Sequence, residues 1–226
     1  MKPNQTAVVL CSLVLALAFG GAEAAARPAN FTTKIDNPYL PMRPGDRWVY
    51  REGRQRVVVT VTRRTRVVAG VRTRVVHDVA SVRGRVVEDT YDWFAQDRRG
   101  TVWYFGEATK EFTKGEPPDP HGSWEAGVNG ARAGIVMPAR PRTGMTYRQE
   151  YLKGEAEDAA KVLGTNERVS APFGSFRDAV LTKDYTPLDP ELVEHKLYAR
   201  GVGLVLAVTV SGGRERLELL SYTKGR

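Results

Sequence analysis

The chain is almost without cysteine: Cys11 is the only one in 226 residues, and it sits within the apolar run 7–19. A lipoprotein signal needs a small residue directly before its cysteine, and Leu10 stands there. Cys11 therefore reads as part of a segment discarded on export. The processed chain then has no thiol, which excludes disulfides, thiolate metal sites and cysteine nucleophiles together. Its stability must come from a hydrophobic core, which about 200 residues can supply.

Other absences narrow the chemistry further. The three histidines, His77, His121 and His195, lie far apart with no paired spacing, and Glu194 and His195 would point to opposite faces of a strand. No metal site is implied. There is no Gly-x-Ser-x-Gly elbow, and Ser221-x-x-Lys224 stands alone at the C-terminus. Glu88 and Asp92 would sit roughly 13 Å apart along one strand, beyond the ~5–9.5 Å of glycosidase carboxylate pairs. No catalytic residue and no cofactor is assigned. After residue 19 no apolar run approaches the ~20 residues of a membrane-spanning helix.

What is present begins with Lys2, the apolar run 7–19 and the small residues 20–26, the charged, apolar and small-residue order of a signal peptide. We expect cleavage near residue 26 and a single β-rich domain over 27–226. That predicts an exported protein, secreted, periplasmic or cell-wall associated, touching the membrane only through its signal before cleavage.

The net charge of +8 is concentrated. Residues 42–86 hold twelve arginines against Asp46, Glu52 and Asp78, whereas residues 87–226 carry 19 basic and 21 acidic side chains. Nucleic acid is not expected as a partner of an exported chain that has no recognition motif. The arginines Arg56, Arg64, Arg72, Arg74 and Arg85 lie on predicted strands. They read either as a solvated face or as a docking surface for an anionic cell-surface polymer or lipid head group.

Short β-branched runs at 48–51, 56–64, 71–82, 85–94 and 101–105 are separated by turn signals such as Ala69-Gly70, Arg83-Gly84 and Arg99-Gly100. Within 71–79, Val71, Thr73, Val75, His77 and Val79 share one face, and Arg72, Arg74 and Asp78 the other. That period of two predicts half-buried antiparallel strands. Strand signals resume at 146–152, 168–171, 179–185, 193–199, 204–210 and 216–222, with 155–163 also leaning to strand. Between them, 106–145 predicts a long Gly/Pro-rich loop of the kind that is often functional. Pro44-Gly45-x-x-Trp48 parallels Pro141-x-x-Gly144-x-x-Tyr147, so 39–106 and 136–210 read as a weak two-half repeat; shared turn chemistry explains the parallel equally well.

The opening Tyr39-x-Pro41-x-x-x-Gly45-x-x-Trp48-x-Tyr50, together with Pro172-x-Gly174-x-Phe176 and Tyr198-Ala199-x-Gly201-Val202-Gly203-Leu204, resembles a broad group of bacterial exported proteins. Some of that group are similar to the open half-barrels of lipoprotein carriers. The resemblance implies an all-β, mainly antiparallel fold: a single curved sheet, as an open half-barrel or β-meander, able to hold acyl chains. It brings no catalytic residues.

Six further residues are candidates for ligand contact: Trp93, Trp103 and Phe105 on a predicted aromatic hairpin, and His121, Trp124 and Glu125 in the loop. Core packing and a loop pinned by Trp124 are the structural readings of the same residues. Three functions follow in order: a non-enzymatic binder of a lipid or other amphiphile, an anionic-polymer docking module, and a secreted hydrolase using Glu125 or His121.

Overall fold

The computed structural model describes residues 30–225; the expected signal peptide and Cys11 lie outside the described residues. Fifteen strands follow one another: β1 (Phe31–Thr32), β2 (Arg47–Glu52), β3 (Gln55–Val68), β4 (Val71–Val82), β5 (Arg85–Asp97), β6 (Val102–Glu111), β7 (Trp124–Glu125) and β8 (Arg132–Met137). Then come β9 (Thr146–Arg148), β10 (Glu150–Tyr151), β11 (Ala159–Ala171), β12 (Gly174–Thr186), β13 (Asp189–Ala199), β14 (Gly203–Ser211) and β15 (Arg216–Thr223). There is no α-helix among the described residues.

The strands are short-range neighbours because their connections are tight. Ala69-Gly70 and Arg83-Gly84 hold both central residues at positive φ (47° and 76°, 51° and 79°). Those are the angles of a two-residue type I′ hairpin, whose twist matches the flanking strands. Such turns fold β2 to β6 into one antiparallel meander and β11 to β15 into another. The ladder of β15 against β2, from Leu217 opposite Glu52 to Thr223 opposite Arg47, joins them into one all-antiparallel sheet. Its ends, β9 on β11 and β10 on β8, are consecutive in the chain with only Gln149 between them. No ladder joins these two end strands to each other among the described residues.

The region expected to be a loop is only partly one. Glu125 pairs with Gly106 through β7, and β8 extends the sheet beside β6. Gly106 is required there. Its φ is 128°, and a Cβ would stand 2.3 Å from the Trp124 carbonyl oxygen. In the other ambiguous stretch, the strand begins at Ala159, after a turn closed by the Leu152–Ala156 bridge.

Alternation sends Val57, Val59 and Val61 of β3, Val76 and Ala80 of β4 and Phe94 of β5 to one inner face. They pack with Trp48, Tyr50, Val162, Val180, Val205 and Leu219. Each fully buried side chain of this size contributes about 1.5–3 kcal/mol. A second cluster, built on Val68, Val71, Val75, Trp93, Ala95, Phe105 and Trp124, gathers around the β3–β4 hairpin. β4 is therefore covered on both faces for half its length, which corrects the expectation of a strand with a solvated charged face. Arg72 alone of that face is exposed at the hairpin end; Arg74 is buried and Asp78 turns inward.

The segment leading into the sheet is fixed by Asn37, which is fully buried. Its side-chain amide donates to the carbonyls of Gly100 (2.8 Å) and Pro138 (3.1 Å). Its side-chain oxygen accepts from the main-chain N–H groups of Tyr39 and Leu40. Leu40, Pro41 and Met42 are thereby held against the inner face.

Candidate functional site

The inner face lines a half-open cavity of about 430 Å³. Its walls are mainly apolar: Leu40 and Met42 from the lead-in segment, then Val57, Val59, Val76, Phe94, Leu204 and Leu217 from five strands. Trp48, Tyr50 and Tyr198 add ring surface. Two of these rings have already spent their polar tips on the wall. The Trp48 indole N–H donates to the Val202 carbonyl (2.7 Å), and the Tyr50 hydroxyl donates to the Leu204 carbonyl (3.0 Å). Trp48 also lies against Gly203, whose φ of 100° carries the chain round it. The Trp48-x-Tyr50 and Gly201-Val202-Gly203-Leu204 motifs are thus two sides of one contact.

The polar part of the lining is acidic. Glu52, Asp78 and Glu88 reach the cavity from β2, β4 and β5. Desolvation, reinforced by the Glu88, Glu107 and Glu52 carboxylates, pushes the Asp78 carboxyl up to about 7. Burial likewise raises Glu52 and Glu88. Asp78 is half-buried and lines the cavity.

The acidic band continues along the same face. Asp92 stands opposite Glu107 in the β5–β6 register. Burial pushes these carboxyls up to about 7 and about 8; Asp78 and Glu88 add to the rise at Asp92, and Asp92 adds to that at Glu107. The Tyr104 hydroxyl donates to Asp92 (2.7 Å), and Thr109 donates to Glu107 (2.9 Å). The Thr90 hydroxyl donates to Glu88 (3.1 Å) and lies 3.0 Å from the Thr109 hydroxyl, so a row of closely spaced oxygens runs from Glu88 to Glu107. Beyond Glu107, burial and neighbouring carboxylates push Glu150 up to about 8. The Trp124 indole N–H lies beside it without a well-formed hydrogen bond.

Among the described residues, Lys196 is the one cation lining the cavity. Burial works against its charge, but Asp184 (3.1 Å) and Glu194 (3.3 Å) outweigh that and hold the ammonium well above its ordinary range. Gln149 donates to the same Asp184 (3.0 Å). Lys196 is thus already committed to two carboxylates. Among the described residues no three His, Cys, Asp or Glu side chains are grouped to hold a metal ion. The arrangement can take up a cation or hold protons on closely spaced carboxyl groups.

None of the six aromatic and loop candidates lines this cavity. Trp93 lies on the outer side, Phe105 is buried against Phe31, and Trp103 packs on Phe31 while its N–H donates to Asp97 (3.1 Å). His121 is exposed in a turn capped by Asp119. Trp124 is buried, and Glu125 pairs with Arg66 (2.6 Å). Of residues 112–145 only Val136 reaches the cavity, so this segment does not cover it. The cavity's aromatics are instead Trp48, Tyr50, Phe94 and Tyr198, of which the first two carry the period-two signal of a strand with one face inward.

The arginine candidates do not form one patch. Arg56 and Arg85 lie toward one end of their strands and Arg64 and Arg72 toward the other; Arg56 and Arg64 alone are eight residues, roughly 26 Å, apart. Arg74 leaves the set altogether. It is buried, and its guanidinium donates to the carbonyls of Thr33, Thr62, Arg63 and Arg64, most of them in the bulge where the β3–β4 register slips. Arg64 belongs to an outer groove of about 450 Å³ with Arg66, Val75, Tyr91 and Trp93. There Arg66 stacks over Trp93 (4.2 Å), Arg64 over Tyr91 (5.6 Å), and His77 stacks on Tyr91 (4.3 Å) while bonding Asp89 (2.8 Å).

No protein-family model matches the chain. None of the curated proteins matches it either. Among solved structures, it is similar to a Bacteroides fragilis protein of YmcC-like fold provisionally assigned as exported. Identity is 14% and the TM-score 0.48, over 82% of this chain and 99% of that one. It is also similar to a Parabacteroides distasonis protein provisionally assigned as a lipoprotein, at 11% identity and a TM-score of 0.46, over 82% of this chain and 98% of that one.

Proposed function

We propose that this is an exported, non-enzymatic binding protein that holds an apolar or amphiphilic molecule inside its curved sheet. The observation that carries this reading is the apolar-walled cavity of about 430 Å³, within the roughly 300–1,000 Å³ range of small-molecule sites. Two of its aromatic walls, Trp48 and Tyr50, offer ring faces whose polar tips are already bonded. An apolar group entering there displaces water without stripping those wall groups of partners. Export rests on the N-terminal residues 1–26.

Titration with the uncharged dye N-phenyl-1-naphthylamine tests the reading. Saturable fluorescence enhancement is expected, with at least about a tenfold loss of affinity in Val59→Phe, which fills the cavity. Native mass spectrometry of protein purified from its own host should show a bound small molecule. A protein that neither binds the dye nor carries a guest would overturn the proposal.

The outer groove supports a second reading, in which an anionic cell-surface polymer docks on Arg64, and on Arg66 in competition with Glu125. Guanidinium groups stacked on rings are pre-oriented for carboxylate or phosphate. Retention on cell-wall material should fall with added salt and in Arg64→Gln/Arg66→Gln. Retention unchanged by either would exclude it.

A further inference from the structure

We infer that the ligand of the cavity is a cationic amphiphile, an alkyl chain ending in a protonated amine, with its head seated against Glu52, Asp78 and Glu88. The inference rests on the proposed binding of an apolar or amphiphilic molecule and adds the chemistry of its polar end.

The argument starts from an imbalance. Arginines give the exterior its excess of positive charge, yet the cavity is lined by three carboxylates and one ammonium. That ammonium, Lys196, is bound to Asp184 and Glu194 and neutralises neither Glu52 nor Asp78. Among the described residues, no side chain donates a hydrogen bond to the carboxylates of Glu52 or Asp78, and Asp78 has only the adjoining Val79 main-chain N–H. Glu88 has the Thr90 hydroxyl. The charges acting most strongly on Glu52 and Asp78 are other carboxylates: Glu194, Glu215 and Glu88 on the first, Glu88, Glu107 and Glu52 on the second.

Carboxylates withdrawn from water and without a partner are costly, and either a bound proton or a cationic partner relieves that cost. They reach the same cavity as the apolar wall of Val57, Val59, Val76, Leu204 and Leu217. One molecule that fills the apolar part therefore brings its head group to the acidic part. An anionic head would meet unneutralised like charge; a neutral head would leave the carboxylates as they are. An ammonium head supplies three donors and the missing charge.

The test is competition against bound N-phenyl-1-naphthylamine by three probes of equal chain length, decylamine, decanol and decanoate, each below its aggregation concentration. Decylamine is expected to displace the dye at a concentration at least about tenfold below that of decanoate, the factor one unit of charge–charge pKa coupling provides, with decanol between them. In Glu52→Gln/Asp78→Asn the ratio of decylamine to decanol affinity should fall toward one, each measured against that variant's own dye affinity. Retained dye binding shows that the variant is folded.

Decanoate competing as well as decylamine would overturn the cationic head and leave the cavity reading intact. An amine advantage unchanged in the double variant would overturn its placement on these carboxylates. Failure of the dye and all three probes would overturn the cavity reading and this inference with it.

Discussion

The opposed pair Asp92 and Glu107 makes stability fall as pH rises, and Asp92→Asn isolates that effect. Burial pushes the Asp92 carboxyl from an ordinary 3.8 up to about 7. Between these values the folded chain keeps a proton that the unfolded chain has lost. A group of this kind stabilises fully below the unfolded pKa, and its contribution is lost as pH rises through the folded one. The slope is about 1.4 kcal/mol per pH unit for one such proton. The slope flattens near pH 7, where the folded group is half deprotonated, so from about pH 5 to about pH 7 the wild type should lose roughly 2.3 kcal/mol relative to Asp92→Asn. The amide preserves an acceptor for the Tyr104 hydroxyl, which donates to Asp92 Oδ1 at 2.7 Å, so the substitution removes the charge while leaving that bond. It also relieves Glu107, which Asp92 pushes upward, an effect of the same sign. Urea unfolding of both proteins at about pH 5, 6 and 7, compared as a difference, cancels every surface group they share. Parallel stability curves, or a wild type that gains on the variant with rising pH, would refute the reasoning.

Three further substitutions probe the frame around the site. Gly106→Ala would drive a Cβ into the Trp124 carbonyl oxygen, 2.3 Å away, and should lower stability by about 3 kcal/mol in thermal melts as β7 is pushed off β6. Asn37→Ala removes four hydrogen bonds that hold the lead-in segment; a loss of about 3 kcal/mol in urea is expected, together with weaker dye binding as Leu40 and Met42 loosen. Ala69→Asn places a residue that tolerates positive φ where Ala69 has φ 47°, and a gain of roughly 0.5–1 kcal/mol is expected in the same assay.

The sequence by itself determined the strands and their joints. Alternation at 71–79 and the pairs Ala69-Gly70 and Arg83-Gly84 place β4 and its two hairpins because side-chain parity and positive φ are local properties of the chain. An antiparallel all-β sheet follows from such joints. What alternation cannot supply is its own sign. On β4 the face bearing Arg74 and Asp78 looks like the wet one, but it lies against the inner cavity, and over about half of the strand both faces are covered. Tertiary structure also decided the fate of Arg74, since the bulge that offers it carbonyls arises from a register slip between β3 and β4. The acidic band was hidden for the same reason. Glu88 and Asp92 are far apart along their own strand, whereas Asp92 and Glu107, fifteen positions apart, face each other across the β5–β6 ladder. Which side chains meet inside the sheet is set by register and curvature, both properties of paired strands, and neither is written in any single one.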